Sequence, residues 1–284
     1  MAKAHLRRPA PASPITGAVC LMFCVLAFWP VGVAHAETGT VNADGLRVRD
    51  EPWGAVTDSL SSETMVRINA RTFDQQGEIW YYVTTGWGGL GWVYADFVDP
   101  ARDAKGRVGI QAGHWRYEEA DYPLNTEPGT SAQGITERET NLNIALVLAR
   151  RLSVRGVAVD LLPAAIPAGY RADAVVAIHA DAGPSDVRGF FAERPRRSPV
   201  AVQEAALAEG LIQSMIWWTG IPYVPRSTAD SRNYYGFRAV DPQTPIVLVE
   251  TGCLTNAADR AIIAGNPGLV ADALVGPIAA FVLP

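Results

Sequence analysis

The fold is decided by residues 174–178, which read AVVAI and are followed directly by His179. A strand that is apolar at every position is buried on both faces, as in a parallel sheet covered by helices on its two sides. Further strands are predicted at 108–112, 157–162 and 245–249, and the last of these has the same buried type.

Helical patterns alternate with these strands. Over 139–153, apolar residues recur at spacings of three and four, which predicts an amphipathic helix. Further helices are predicted at 201–218, 256–264 and 268–282, with Pro277 as a candidate kink. Strands that alternate with helices indicate an α/β domain over 107–284, with a mostly parallel sheet and helices on both faces.

The preceding region has a different pattern. Residues 38–99 contain short apolar runs separated by turn residues, with no helical period, and this predicts a small all-β barrel or sandwich. Trp80 and Trp92 are predicted to lie in its core, whereas Trp53 and Trp87 flank loops. Residues 100–106 are polar and contain proline and glycine, so they are predicted to be a linker.

The first 36 residues have the layout of a secretory signal peptide. Basic residues precede an apolar stretch at 17–29, and the segment ends in an A-x-A pattern at 34–36. The apolar stretch is shorter than the roughly 20 residues that a membrane span needs. We therefore expect cleavage after Ala36, export to the periplasm or the extracellular cell envelope, and no integral membrane segment in the mature chain.

Composition excludes several other classes of protein. The 284 residues are 49% hydrophobic and 19% charged, which is typical of a globular chain rather than a disordered one. The formal net charge of −5 argues against a nucleic-acid-binding protein. Three cysteines are too few for a disulfide scaffold.

Polar side chains follow three of the predicted strands. His114, His179 and Glu250 each come shortly after a strand, and Glu137 lies just ahead of the long helix. Ligands of open α/β sheets bind at the carboxyl ends of strands. Two imidazoles and one carboxylate form a common catalytic zinc site, and a further carboxylate can act as general base. From these positions alone, purely structural roles for the four residues stay open.

Four segments resemble the zinc-dependent N-acetylmuramoyl-L-alanine amidases and occur in that family's order. They are 112–114 (AGH), 137–145 (ERETNLNIA), 177–182 (AIHADA) and 247–256 (VLVETGCLTN). The resemblance implies that His114, Glu137 and His179 hold one Zn²⁺ per catalytic domain, and it selects Glu137 rather than Glu139. It implies that Glu250 is the catalytic carboxylate. The substrate implied is peptidoglycan, its glycan strand and stem peptide together, with hydrolysis of the amide between N-acetylmuramic acid and L-alanine.

The β region resembles a bacterial Src-homology-3-like domain, through 42–49 (NADGLRVR), 80–83 (WYYV) and 91–94 (GWVY). Such domains accompany cell-wall enzymes and bind wall material. The implied organisation is a signal peptide at 1–36, the Src-homology-3-like domain at 37–99, the linker at 100–106 and the zinc amidase domain at 107–284.

The sequence departs from the amidase pattern beside the first histidine, where Trp115 and Arg116 replace the usual glycines. Candidate substrate-binding residues are Asn141 and Arg226. For Arg226, the reason is that arginine recognises the carboxylates that stem peptides carry. Two other functions stay open at this point: a zinc peptidase that cuts within the stem peptide, and a non-catalytic protein that binds the cell wall.

Overall fold

A computed structural model describes residues 37–101 and 104–283. The predicted signal peptide at 1–36 lies outside the described residues, as do 102–103 and 284.

Residues 37–101 form an all-β region, as predicted. Its strands pair antiparallel in the order β3-β2-β6-β5-β4, and β1 pairs with both β4 and β7. Alternating apolar residues of these strands, such as Val66, Ile68 and Val83, form a small core. The strands are β1 (Thr38–Val41), β2 (Leu46–Arg49), β3 (Val56–Leu60), β4 (Met65–Phe73), β5 (Ile79–Thr85), β6 (Leu90–Tyr94) and β7 (Val98–Ala101).

The remaining chain forms a mixed α/β region around a mostly parallel sheet. Its strands are β8 (Gly106–Ala112), β9 (Ser131–Ala132), β10 (Ile135–Thr136), β11 (Val157–Leu162), β12 (Ala174–Asp181), β13 (Phe191–Glu193) and β14 (Ile246–Cys253). Strands β14, β12, β8 and β11 lie side by side in parallel, and β13 adds an antiparallel edge. Strands β9 and β10 form a separate hairpin.

Helices cover both faces of this sheet. They are α1 (Glu137–Ser153), α2 (Ala201–Thr219), α3 (Ala229–Arg232), α4 (Gly236–Ala239), α5 (Ala257–Ile263) and α6 (Pro267–Val282). Helix α6 packs between α1 and α2, and α1 packs on the sheet. The opposite face is covered by residues around the short α3 and α4, among them Tyr234 and Val240. The predicted fold class is therefore confirmed.

Strand β12 shows why the apolar run decides the fold. All five residues of 174–178 are fully buried. Val176 and Ile178 pack into the cluster that contains the long helices, whereas Val175 and Ala177 pack into the cluster on the other face. Because neighbouring residues of a strand point to opposite faces, an unbroken apolar run is buried only where both faces are covered.

The β region and the α/β region share one sheet and belong to one compact unit. Strand β4 pairs parallel with β11, at Arg71 and Asp160. The fully buried Asp160 carboxylate accepts hydrogen bonds from Arg71 (2.6 Å), Arg107 (2.7 Å) and the Tyr170 hydroxyl (2.7 Å). At the predicted linker, β7 extends to Ala101 and β8 begins at Gly106.

Within the described ranges, no single helix is long and apolar enough to cross a membrane. The pair α5 and α6 meets that test jointly, by length and composition only, with a bend of 67° between the two helices.

Candidate metal centre and active-site cleft

The structure brings the four predicted site residues to one edge of the sheet. His114 lies two residues beyond the carboxyl end of β8, while His179 and Glu250 lie within β12 and β14, near their carboxyl ends. His179 and Glu250 are paired in register, so their side chains project from the same face. Glu137 is the first residue of α1, whose N-terminus is capped by Thr136.

Three of these side chains form a group that could hold a metal ion. His114, Glu137 and His179 offer ligand atoms that all lie within 4.8 Å of one another. Glu137 Oε1 is 3.4 Å from His114 Nε2 and 3.2 Å from His179 Nδ1. Around a tetrahedral zinc ion with bonds of about 2.0–2.1 Å, ligand atoms lie roughly 3.3–3.4 Å apart. The separations of Glu137 from each of the two histidines therefore fit a common ion.

Backbone contacts fix the orientation of the His114 ring. Its Nδ1 lies 2.7 Å from the carbonyl oxygen of Glu127 and can donate a hydrogen bond to it. In the neutral ring that hydrogen bond keeps the proton on Nδ1 and leaves the Nε2 lone pair for a metal ion, the usual arrangement of a metal-binding histidine, whereas a protonated ring can also donate from Nε2 to Glu137. Gly129, at φ +77°, lies against this pair, and a Cβ there would be 2.8 Å from His114 Cδ2 and 2.9 Å from Glu137 Oε2.

The Glu137 carboxylate is buried but well supported. It accepts hydrogen bonds from the backbone amides of Thr130 (3.0 Å) and Ala180 (3.1 Å) and from Asn141 Nδ2 (3.3 Å). Burial by itself raises the pKa of this carboxyl. Hydrogen bonds and attraction from the two histidines outweigh burial and hold the pKa well below its usual range. Glu137 is therefore ionised, as a metal ligand must be.

The His179 ring is enclosed by its neighbours. The Tyr234 ring packs edge-on against it, with centroids 5.6 Å apart, and a Cβ at Gly113 would lie 2.5 Å from the imidazole. Its Nε2 is buried and has no hydrogen-bond partner in the described part of the chain. Because Nδ1 is the ring nitrogen that faces Glu137, Nδ1 rather than this unpartnered Nε2 would bind an ion shared with Glu137.

Glu250 lines the same cleft as the metal-ligand group, but its electrostatic environment differs from that of Glu137. Its Oε2 is buried and has no hydrogen-bond partner among the described residues. Burial, reinforced by repulsion from Glu137, raises the pKa of Glu250 well above its usual value, although Arg226 opposes the shift. A carboxyl group with a raised pKa can both accept and deliver a proton near neutral pH.

Residues 108–279 match the protein-family model described as N-acetylmuramoyl-L-alanine amidase. The chain belongs to this family. The match begins in β8 and ends in α6, so it contains the entire metal-ligand group and Glu250. It does not include the N-terminal β region.

Two solved amidase structures have a fold similar to that of this chain. The apo form of the N-acetylmuramyl-L-alanine amidase Ami1 from Mycobacterium abscessus is 24% identical, with a TM-score of 0.51, over 63% of this chain and 99% of that one. Ami1 from Mycobacterium smegmatis is 23% identical, with a TM-score of 0.51, over 64% of this chain and 98% of that one. No curated protein gives a significant match.

The cleft of this amidase family member is open and has a volume of about 680 Å³. It is lined by the metal-ligand group and Glu250, and also by residues of two segments, 123–130 and 228–235, the second of which contains α3. Arg226 lies beside it, where its guanidinium pairs with Asp181 and stacks on the Phe191 ring at 5.4 Å. The candidate substrate-binding arginine is thus already held by an acid of the same chain.

Asn141 has a different position from the one expected. It is completely buried, and its Nδ2 donates to Gly113 O (3.2 Å) and to Glu137 (3.3 Å). The side chain therefore holds the Glu137 carboxylate and the end of β8 from beneath, and it does not reach the cleft. These contacts favour a positioning role for Asn141, and its contact with substrate stays a prediction.

Two groups that hold the side chains of the metal centre were not predicted from the sequence. They are the carbonyl of Glu127 and the amide of Thr130, which orient His114 and Glu137. Both are backbone groups, so the identity of the residue carries no signal for them.

Proposed function

We propose that the protein is a zinc-dependent N-acetylmuramoyl-L-alanine amidase that hydrolyses the amide between N-acetylmuramic acid and L-alanine in peptidoglycan. The observation that carries this proposal is the convergence of His114, Glu137 and His179, with Glu250 in the same cleft. Membership of the amidase family supports it, and the catalytic region has the fold of the similar Ami1 structures.

The proposed zinc ligands are His114, Glu137 and His179. Bound there, zinc would lower the pKa of a coordinated water towards about 7 and polarise the scissile carbonyl. The chain prepares the centre in two ways. Glu137 is held ionised by the two histidines, and Glu127 O fixes the tautomer of His114.

Glu250 is the proposed proton carrier. Cleavage of the amide forms a carbon–oxygen bond to the attacking water and breaks the bond to the nitrogen of L-alanine. One proton of that water passes to Glu250 and then to the departing nitrogen, so the amine leaves in neutral form. The raised pKa of Glu250 suits both transfers, and general acid–base catalysis of this kind contributes about 10²–10⁴-fold.

Arg226 is the proposed contact for a carboxylate of the stem peptide. Its guanidinium is only partly exposed and pairs with Asp181, so a substrate carboxylate would have to share or displace that acid. An arginine presents several donors in a fixed plane and can hold two carboxylates together.

The proposal extends to the organisation of the chain. The signal peptide at 1–36 would direct export of the protein to the periplasm or the extracellular envelope, where peptidoglycan lies, and would then be cleaved off. The β region at 37–99 is proposed to be a bacterial Src-homology-3-like domain that binds wall material. Trp53 and Phe97, both exposed, help line a cavity of about 440 Å³ on this region, which offers an aromatic surface to such a ligand.

Digestion of purified sacculi tests the function. An amidase solubilises the wall and releases intact peptides that begin with L-alanine, and mass spectrometry identifies them. A zinc peptidase would release shortened peptides, and a wall-binding protein would bind sacculi without solubilising them. Activity should disappear with a chelator and return with added Zn²⁺. Peptides cut internally, or no release at all, would contradict the proposal.

A further inference from the structure

The segment that follows His114 is attached directly to the N-terminal β region. The Trp115 ring stacks on Trp92 of β6, with centroids 6.2 Å apart and an interplanar angle of 22°. Arg116 Nη1 donates a hydrogen bond of 2.7 Å to the carbonyl of Phe73, the last residue of β4. Both partners lie outside the segment that matches the amidase family.

The backbone of this segment needs outside support. His114 and Arg116 both lie in the left-handed region, at φ +62° and +56°, where residues with a Cβ are uncommon. Such conformations persist where the surrounding structure holds them in place. Trp115 lies between these two residues and is only 7% exposed, and its carbonyl accepts a hydrogen bond of 2.7 Å from Ala164 N.

Arg116 is held by three groups at once. Its guanidinium pairs with Glu119, donates to the Phe73 carbonyl and lies over the Trp115 ring, 5.3 Å from the centroid. The side chain is 12% exposed, so these contacts are largely shielded from water. Arg116 thereby ties the segment after His114 to the β region at a second point.

We infer that the N-terminal β region supports the metal centre: through Trp92 and the Phe73 carbonyl it fixes Trp115 and Arg116, which position His114. The inference rests on the proposed zinc site and deepens it. Trp115 and Arg116 are positioning residues, since neither belongs to the metal-ligand group. Glycines at these two positions would have no side chains through which the β region could hold His114. The β region is thus a structural part of the enzyme, in addition to any binding of the wall.

The affinity of the purified protein for Zn²⁺, measured by competition with a fluorescent chelator, tests this inference. Arg116→Ala and Trp92→Leu should each weaken Zn²⁺ binding by about 10–100-fold, the usual effect of removing a group that orients a metal ligand. Trp92→Phe keeps an aromatic ring against Trp115 and should recover most of the affinity. Matched controls are Arg171→Ala, which removes an exposed arginine paired with Asp241, and Trp217→Leu, which removes a tryptophan that is 85% exposed. Both controls should bind Zn²⁺ like the wild type.

Thermal unfolding of the metal-free variants separates positioning from folding. The inference expects Arg116→Ala to lose Zn²⁺ affinity while it unfolds cooperatively near the wild-type temperature. If Trp92→Leu fails to fold, Arg116→Ala decides alone, because it leaves the stacked pair of Trp92 and Trp115 in place. Wild-type affinity in Arg116→Ala, measured on a chain whose wild type binds Zn²⁺, overturns the inference and leaves the proposed function standing. A wild-type chain that does not bind Zn²⁺ overturns the proposed function itself.

Discussion

Replacement of Glu250 by glutamine separates proton transfer from metal binding. Glutamine has nearly the same shape as glutamate but cannot take up a proton and pass it on. Glu250 Oε2 makes no hydrogen bond within the described residues, so the substitution breaks no internal hydrogen bond of that atom. Glu250 also lies outside the group formed by His114, Glu137 and His179, so the metal ligands stay in place.

The size of the expected effect follows from this position. If Glu250 carries the proton, its loss should lower kcat by about 10²–10⁴-fold. At about 1.36 kcal/mol for each factor of ten, this corresponds to roughly 2.7–5.4 kcal/mol in the activation free energy. Zn²⁺ affinity should be largely retained, because Glu250 is not one of the three proposed ligands.

The assay compares initial rates of release of peptides with an N-terminal L-alanine from purified sacculi, with Zn²⁺ content measured on the same samples. Glu209→Gln is a matched control, since this glutamate is exposed on α2 and lies outside the cleft. The reasoning would be refuted by a Glu250→Gln variant that keeps its Zn²⁺ and works within about tenfold of the wild-type rate.

Three further predictions concern the metal and stability. His179→Ala should leave the purified protein without stoichiometric zinc, as checked by elemental analysis; full zinc content would exclude this residue as a ligand. Asp160→Asn should lower the free energy of unfolding by about 1–3 kcal/mol in urea titrations, because two arginines lose a buried partner; an unchanged midpoint would contradict the importance of this junction. Asp74 should give pH-dependent stability. Burial raises its pKa, but hydrogen bonds from the indoles of Trp53 and Trp80 outweigh burial and lower it below 3.8. Its stabilising effect should therefore be complete above the unfolded-state pKa and disappear as the pH falls through the lower folded-state value. Asp74→Asn should consequently melt below the wild type at pH 7 and approach it under strongly acid conditions, and a constant difference across pH would refute this assignment.

Several features of the molecule follow from local sequence patterns. The apolar runs predicted the buried strands β12 and β14, and the spacing of apolar residues predicted α1. Trp80 and Trp92 are buried as predicted, but in the core cluster shared with the α/β region rather than in the small separate core of the β region. Trp53 and Trp87, which flank loops, are exposed. These outcomes depend on which residues alternate along one segment, and that information is contained in the segment itself.

The residues that meet at the candidate site could also be predicted, because parallel strands bring their carboxyl ends to one edge of the sheet. From the sequence alone, that rule places His114, His179 and Glu250 near one another. It could not place Asn141, which lies beneath Glu137 because of the way α1 packs on the sheet. The direction of a side chain on a helix depends on the surface that the helix covers.

The sequence by itself determined the strands, the long helices and the residues that meet at the edge of the sheet, because each depends on periodicity or on chain order. Only the tertiary structure decided that β4 joins β11, and that Trp115 and Arg116 contact the β region. These contacts join residues far apart in the chain, and no local pattern encodes them. They arise when two separately formed surfaces pack together, so shape and burial across the junction select them.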